Sequence, residues 1–240
     1  VTQHIGAIWV YLQTAPLLWL TVTIGAYLLA SALYRRSGSF PLLHPVLVSV
    51  VAIVALLSAT HVSYERYFEG AQFVHFLLGP ATVALAVPLY RNFARVRRSL
   101  VPIVVAIAAG SLAAAVSGVA IARWLGCAPD VVRSIAPKSV TTPVAMAISE
   151  QLGGLPSLTA ALVIVTGIIG AVLAVPLFAL LRVRDERARG LALGTAAHGI
   201  GTARALQESE TAGAFAGLAM GVNALLSALA LPWLVPWLMR

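Results

Sequence analysis

The chain has 240 residues, 60% of them hydrophobic and 10% charged, with 16 Lys and Arg against 8 Asp and Glu. An ordinary soluble domain is about 25% charged, and a water-facing fold of this size has no room to hide so much apolar surface. The composition excludes a soluble enzyme and points to an integral membrane protein, in which the net charge of +8 reads as topology signals between apolar runs rather than as a nucleic-acid surface. The single cysteine, Cys127, permits no intrachain disulfide and suggests a small packing residue, and no Cys/His spacing suits a metal.

Six stretches free of acidic and basic residues are long enough to span a bilayer: Ile5 to Tyr34, Ser37 to Tyr64, Gly70 to Tyr90, Ser99 to Ala122, Gln151 to Leu181 and Thr211 to Met239. The first lacks a basic leader and a clean cleavage site, and is expected to be a retained span. Two shorter runs, Ser139 to Ser149 and Gly190 to Ala203, are richer in Ser, Thr, Gly and His.

Cytoplasmic loops collect Lys and Arg. Arg35 and Arg36 follow the first span and Arg91, Arg95, Arg97 and Arg98 the third, which puts the N-terminus outside; the loop between them carries Glu65 and Glu69 against Arg66. The cluster Arg182, Arg184, Arg187 and Arg189 also belongs inside, but only if the 137–152 segment enters and leaves on one side. That solution gives seven crossings plus one short re-entrant or broken element, and places Glu208 and Glu210 outside. The stretch from Gly79 to Ala86 resembles that from Gly199 to Leu206, in opposite orientation. The expected fold is an all-α polytopic membrane protein of about seven to eight elements, with inverted repeats over roughly 37–125 and 137–240 and an additional N-terminal span at 1–36.

Three segments break the apolar pattern. Around Gly79-Pro80, with Thr82 close by, the proline removes a backbone donor, so polar backbone must line a cavity or simply kink the helix. In Pro137-Lys138-Ser139-Val140-Thr141-Thr142-Pro143, a cation and three hydroxyls cluster at a helix start; free amides and the ammonium suit an anion, while an interfacial lysine with capping hydroxyls is the alternative. Spacing puts Ser149 on the same face as Lys138 and Thr142. The third runs from Gly194 to Arg204. Arg204 is placed to hold a carboxylate, with Gly199 and Gly201 letting backbone amides approach and Thr202 adding a hydroxyl; pairing with Glu208 at spacing four is the competing role. His198 reads as a proton carrier, a hydrogen-bond donor or a packing residue. Glu150 is a second proton-carrier candidate, and Asn223 either contacts ligand or joins helices. No nucleophile elbow, zinc-protease motif or phosphate loop is present, so no enzyme is expected. No cofactor or metal is called for.

These segments resemble the LrgB/CidB (YohK-like) family, which includes the plastid glycolate/glycerate translocator. The matching stretches are Phe76 to Tyr90, Pro137 to Pro143, Glu150 to Gly154, Arg189 to Arg204 and Gly213 to Gly221. The resemblance implies two activities. One is transport of small 2-hydroxy monocarboxylates such as glycolate and glycerate, with lactate or pyruvate as further candidates. The other is an antiholin- or holin-like role in murein hydrolase export and lysis, beside a small LrgA/CidA-type partner. It also implies a bacterial cytoplasmic membrane location, a fold like that of the bile-acid/arsenite/riboflavin transporters, elevator-like alternating access and, from the architecture of related carriers, a homodimer. Ala147 stands where the family pattern often has Glu, which removes one proton carrier. The main expectation is a carrier whose Lys138 and Arg204 bind the carboxylate, with hydroxyls from Ser139, Thr141, Thr142 and Thr202.

Overall fold

The structure, a computed structural model, describes residues 16–38, 43–77, 80, 83–84, 86–91 and 93–240. The chain divides into two compact units, Val1–Ala84 and Leu85–Arg240. Gly79 and Thr82, and most of the Gly79 to Ala86 stretch, lie outside the described residues.

The first unit contains α1 (Pro16–Arg36), α2 (Pro45–Thr60) and α3 (Tyr64–Phe76). Proline opens α1 and α2, where its missing N–H has no helical partner to lose. Trp19 is fully buried beside Tyr67, whose hydroxyl lies 3.0 Å from Thr23 Oγ1. Gly70 allows α3 to touch α1: a Cβ there would sit 2.1 Å from the carbonyl oxygen of Pro16. Glu65, Arg66 and Glu69, read from the sequence as a loop, belong instead to α3, because Ser63 starts a helix ahead of them, its carbonyl accepting from the amide of Tyr67.

The second unit contains α4 (Ala86–Arg91), α5 (Phe93–Arg98), α6 (Leu100–Trp124), α7 (Pro129–Ile135), α8 (Thr142–Leu152), α9 (Pro156–Leu180), α10 (Glu186–Glu208) and α11 (Glu210–Leu238). Among the described residues four helices, α1, α6, α9 and α11, are long and apolar enough to cross a membrane. The sequence boundaries of the last three agree with the structure to within a few residues.

Between these long helices the chain makes helical hairpins. In the first, α7 and α8 are its arms: Ser134 Oγ accepts from the amide of Leu155 at 2.7 Å, and Thr159 Oγ1 lies 3.0 Å from Ser134 O and 2.7 Å from Ser149 Oγ. These contacts clasp the open end, and Gly153, at φ 73°, gives the left-handed residue that stops α8. Val132, Ala136 and Ile148 pack against Ala115, Val119 and Ala122 of α6 and Leu231 and Val235 of α11. Ser149 is thus part of the clasp, not of a face shared with Lys138. Cys127, in the connection before α7, is exposed rather than a packing residue.

The second hairpin is α10 itself. Its backbone leaves helical geometry at Ala197 and His198, and beyond that point the chain doubles back. A straight helix would separate residues 193 and 201 by about 12 Å, yet a Cβ on Gly201 would meet the carbonyl oxygen of Leu193 at 2.3 Å. At the open end Arg189 of the first arm pairs with Glu208 of the second at 3.2 Å. Gly190 and Gly194 bring the first arm against α11, where added Cβ atoms would lie 2.2 Å and 2.1 Å from the carbonyl oxygens of Ala212 and Ala216. Small residues at such contacts let backbones close on one another where hydrophobic driving force is weak.

This corrects the topology read from charge. Counting Gly190 to Ala203 as a crossing placed Glu208 and Glu210 opposite the arginines, but Glu208 meets Arg189 and Glu210 meets Arg91 at 3.1 Å. Both acids sit at the arginine-rich end, because the segment turns back at Ala197–His198. The hairpins enter from opposite ends of the long helices. The first is based at the end where the Arg123 guanidinium donates to the carbonyl of Leu238; the second is based at the end where α9 finishes and α11 begins.

Candidate functional site at the hairpin tips

The tip of the first hairpin, residues 136–141, is a tight turn with Lys138 N donating to Ile135 O and Val140 N to Pro137 O. Lys138 lies along α6 beside Gly118 and donates from Nζ to the carbonyl of Ala114 at 2.9 Å. An ammonium has three hydrogens, so one such bond leaves donor capacity. Thr141 caps α8 without a side-chain hydrogen bond, and Thr142 opens the helix ahead of Pro143, which has no N–H. The first-turn amides of a helix have no partner within it.

The tip of the second hairpin has the strained backbone. His198 adopts φ 41° and ψ −130°, territory that residues other than glycine rarely occupy. Its buried imidazole holds Nε2 at 2.9 Å from the carbonyl of Val163. A carbonyl only accepts, so Nε2 carries the hydrogen. Thr202 Oγ1 donates to His198 O at 2.9 Å, the usual bond of a helical threonine to the carbonyl four residues earlier. The second arm begins at exposed Gly199, so a second helix N-terminus lies at this tip.

One turn of α11 and one stretch of α9 meet both tips. Asn223, fully buried, donates through Nδ2 to Ser139 O at 3.0 Å and to Thr195 O at 3.2 Å. Ser227 Oγ donates to Asn223 Oδ1 at 3.3 Å and lies 3.1 Å from Ser111 Oγ of α6. Met220 Sδ is 3.9 Å from Thr202 Oγ1, and Ala224 packs on the cluster of Val140, Ala145 and Val163. Val163 therefore touches the first tip through its side chain and the second through its carbonyl. Helix N-termini carry partial positive charge; here each tip carries one, the first tip also carries Lys138, both tips bond to Asn223, and neither 136–145 nor 194–202 contains an acidic residue.

The structure brings together Lys138, Ser139, Thr141 and Thr142 on one tip, His198, Gly199, Gly201 and Thr202 on the other, and Asn223 between them. Gly201 serves as the close contact between the arms of its hairpin. Arg204 is not at the tip: it lies six residues beyond His198, about 9 Å along the arm, with Nη2 3.6 Å from Glu208 Oε1 and Nη1 donating to Gln207 Oε1 at 3.3 Å. Glu208 in turn is held by Arg189, whose guanidinium lies 5.0 Å from the centre of the Phe178 ring. Glu150 is exposed near the end of α8, and among the described residues no ion pair joins it to Lys138.

Sequence reasoning did not single out Ser111, Ala114, Val163, Gly167, Gly170 or Ser227. Gly167 and Gly170 left a trace, small residues within an apolar span, but their partner is visible only in three dimensions: Cβ atoms there would strike His198 at 2.7 Å and Ala197 at 2.6 Å.

Residues 23–237 match the model of the LrgB-like family. The chain is 39% identical over 221 residues to Uncharacterized protein YwbG of Bacillus subtilis (strain 168), covering 91% of this chain and 97% of that one. To YxaC of the same organism it is 41% identical over 217 residues, covering 90% and 94%. Antiholin-like protein LrgB of Bacillus mycoides (strain KBAB4) is 31% identical over 223 residues, covering 93% and 97%. No solved structure matches the chain significantly. With the family model covering most of its length and relatives aligned nearly end to end, the chain belongs to the LrgB-like family of membrane proteins.

Proposed function

We propose that the protein is a carrier for small organic anions, bound where the hairpin tips meet. One observation supports this above the others: the tips of two hairpins entering at opposite ends, each carrying a helix N-terminus and the first carrying Lys138, bond to the same residue of α11. Paired N-termini of broken helices are a recurring way to hold a carboxylate within a bilayer, where water is not available to solvate it. In this reading Lys138 leaves Ala114 for the substrate, and the hydroxyls of Thr141 and Thr142 and the amides near Gly199 complete the cradle. Arg204, already paired with Glu208, ranks behind Lys138. The absence of acidic residues at the tips suits a monocarboxylate, with glycolate and glycerate first among candidates. Alternating access, proton coupling through His198, a homodimer and a bacterial cytoplasmic membrane location with the N-terminus outside belong to the same proposal.

The test is counterflow of labelled glycolate in proteoliposomes. Saturable exchange, lost in Lys138→Ala, is the expected result; flux that neither saturates nor discriminates among acids overturns the reading. A second reading has its own support in the name of the 31% identical relative, an antiholin-like protein. In that reading the chain regulates murein hydrolase export and lysis together with an LrgA/CidA-type membrane protein, and co-purification of such a partner, with no anion exchange by the chain alone, is its signature.

A further inference from the structure

We propose that Asn223 is a positioning residue, not a ligand contact: its single amide group ties the tips of both hairpins to α11 and so fixes the distance between their helix N-termini. The proposal deepens the carrier reading and rests on the tips forming one site. Three observations carry it. The donors are spent, since Nδ2 has two hydrogens, directed at Ser139 O and Thr195 O, and Oδ1 is engaged by Ser227. Only 1% of the residue is exposed, so no surface remains for a ligand. Both acceptors are carbonyls beside the chain's own breaks: Ser139 lies in the turn before α8, and Thr195 lies two residues before the non-helical backbone of Ala197 and His198.

The geometry makes this a coupling. Two hydrogens on one planar nitrogen diverge by about 120°, so acceptors at these distances are held about 5 Å apart. Neither tip can shift by more than a fraction of that without losing a bond, and because Ser139, Thr195 and Asn223 are all buried an orphaned carbonyl finds no ready replacement. Ser227 and Ser111 extend the chain of hydrogen bonds to α6. The side chain that an apolar 29-residue helix tolerates least is therefore the one that sets the spacing of the site.

Hydrogen exchange of the full chain in lipid nanodiscs tests the proposal. In Asn223→Ala, amides of residues 136–145 and 194–202 should exchange together, roughly tenfold faster than in the native chain, while residues 168–176 of α9 stay unchanged. Asn223→Asp, which sets one carboxylate oxygen against both carbonyls in place of Nδ2, should raise exchange further at the same two places; if it does not fold, Asn223→Ala still decides the question. Faster exchange at one tip only, at neither, or equally along the whole chain would overturn the proposal. Uptake is scored separately. Loosened tips in the variants, with no saturable uptake by the native chain, would refute the carrier reading and leave the coupling standing.

Discussion

The imidazole of His198 fills a notch in α9 that exists because residue 167 is glycine: a Cβ there would stand 2.7 Å from Cε1 and 2.8 Å from Nε2 of the ring. The notch and the hydrogen bond to Val163 are one contact, four residues apart on the same helix face. Gly167→Ala must displace the ring and break that bond. Its cost should be about 1–3 kcal/mol, read as a loss of thermal stability in lipid or detergent. Gly221→Ala in α11, where nothing lies within 4 Å, is the control and should be neutral or slightly stabilising. Equal behaviour of the two variants would show that the notch is not packed as described.

At His198 the usual ranking of alanine over glycine should reverse. Within an ordinary helix glycine is worse by about 1 kcal/mol, but φ 41° with ψ −130° suits glycine and strains any side chain. Both replacements lose the imidazole bond to Val163 and only His198→Gly relieves the backbone. His198→Ala should therefore be the less stable by about 1 kcal/mol or more, measured by denaturation of the two variants side by side. The opposite order would mean that the tip relaxes into regular helix.

Glu208 joins two cations on the arms of one hairpin, Arg189 at 3.2 Å and Arg204 at 3.6 Å, and all three side chains are largely buried. Removing the carboxylate leaves guanidiniums facing each other, so Glu208→Ala should destabilise by about 1–3 kcal/mol, below the range of a fully buried pair because some solvent reaches the group. Arg204→Ala combined with Glu208→Ala should cost less than the sum of the single changes, by about 0.5 kcal/mol or more. Simple additivity in that double-mutant cycle would free Arg204 from its structural role and return it to the substrate.

Asp185 caps the start of α10, accepting from Arg187 N at 2.8 Å. The hydrogen-bonded Arg187 side chain holds its carboxyl down to about 2, from an ordinary value of 3.8. Because the folded value is the lower one, the cap supports the fold above about pH 4 and is lost as pH falls towards 2. The group is exposed, so the effect is small: exchange at the first amides of α10 should rise over that window and Asp185→Asn should flatten the dependence. An unchanged profile in Asp185→Asn would assign any acid sensitivity to other carboxylates.

Several residues of the candidate site at the hairpin tips were legible in the sequence. Lys138, Ser139 and His198 stood out because lipid gives polar groups no other reason to be there, and Pro143 marked the start of α8 by removing a donor. Arg204 stood out for the same reason, yet its nearest charge is the carboxylate four residues on, and sequence spacing alone did not choose between that partner and a ligand.

Composition and the lengths of apolar runs determined that the chain is helical and membrane-bound, since hydrocarbon demands that every backbone group be satisfied locally. They also located the segments where that demand is broken. Tertiary structure decided what the breaks do. A run such as Gly190 to Ala203 has one local pattern whether it crosses or doubles back. The difference lies in whether Gly201 meets Leu193 and Gly194 meets Ala216, contacts between residues whose approach no spacing rule specifies. The joining of the two tips through Asn223 is of the same kind: a single polar side chain in an apolar helix announces that it needs partners, and only the packing of distant segments supplies them.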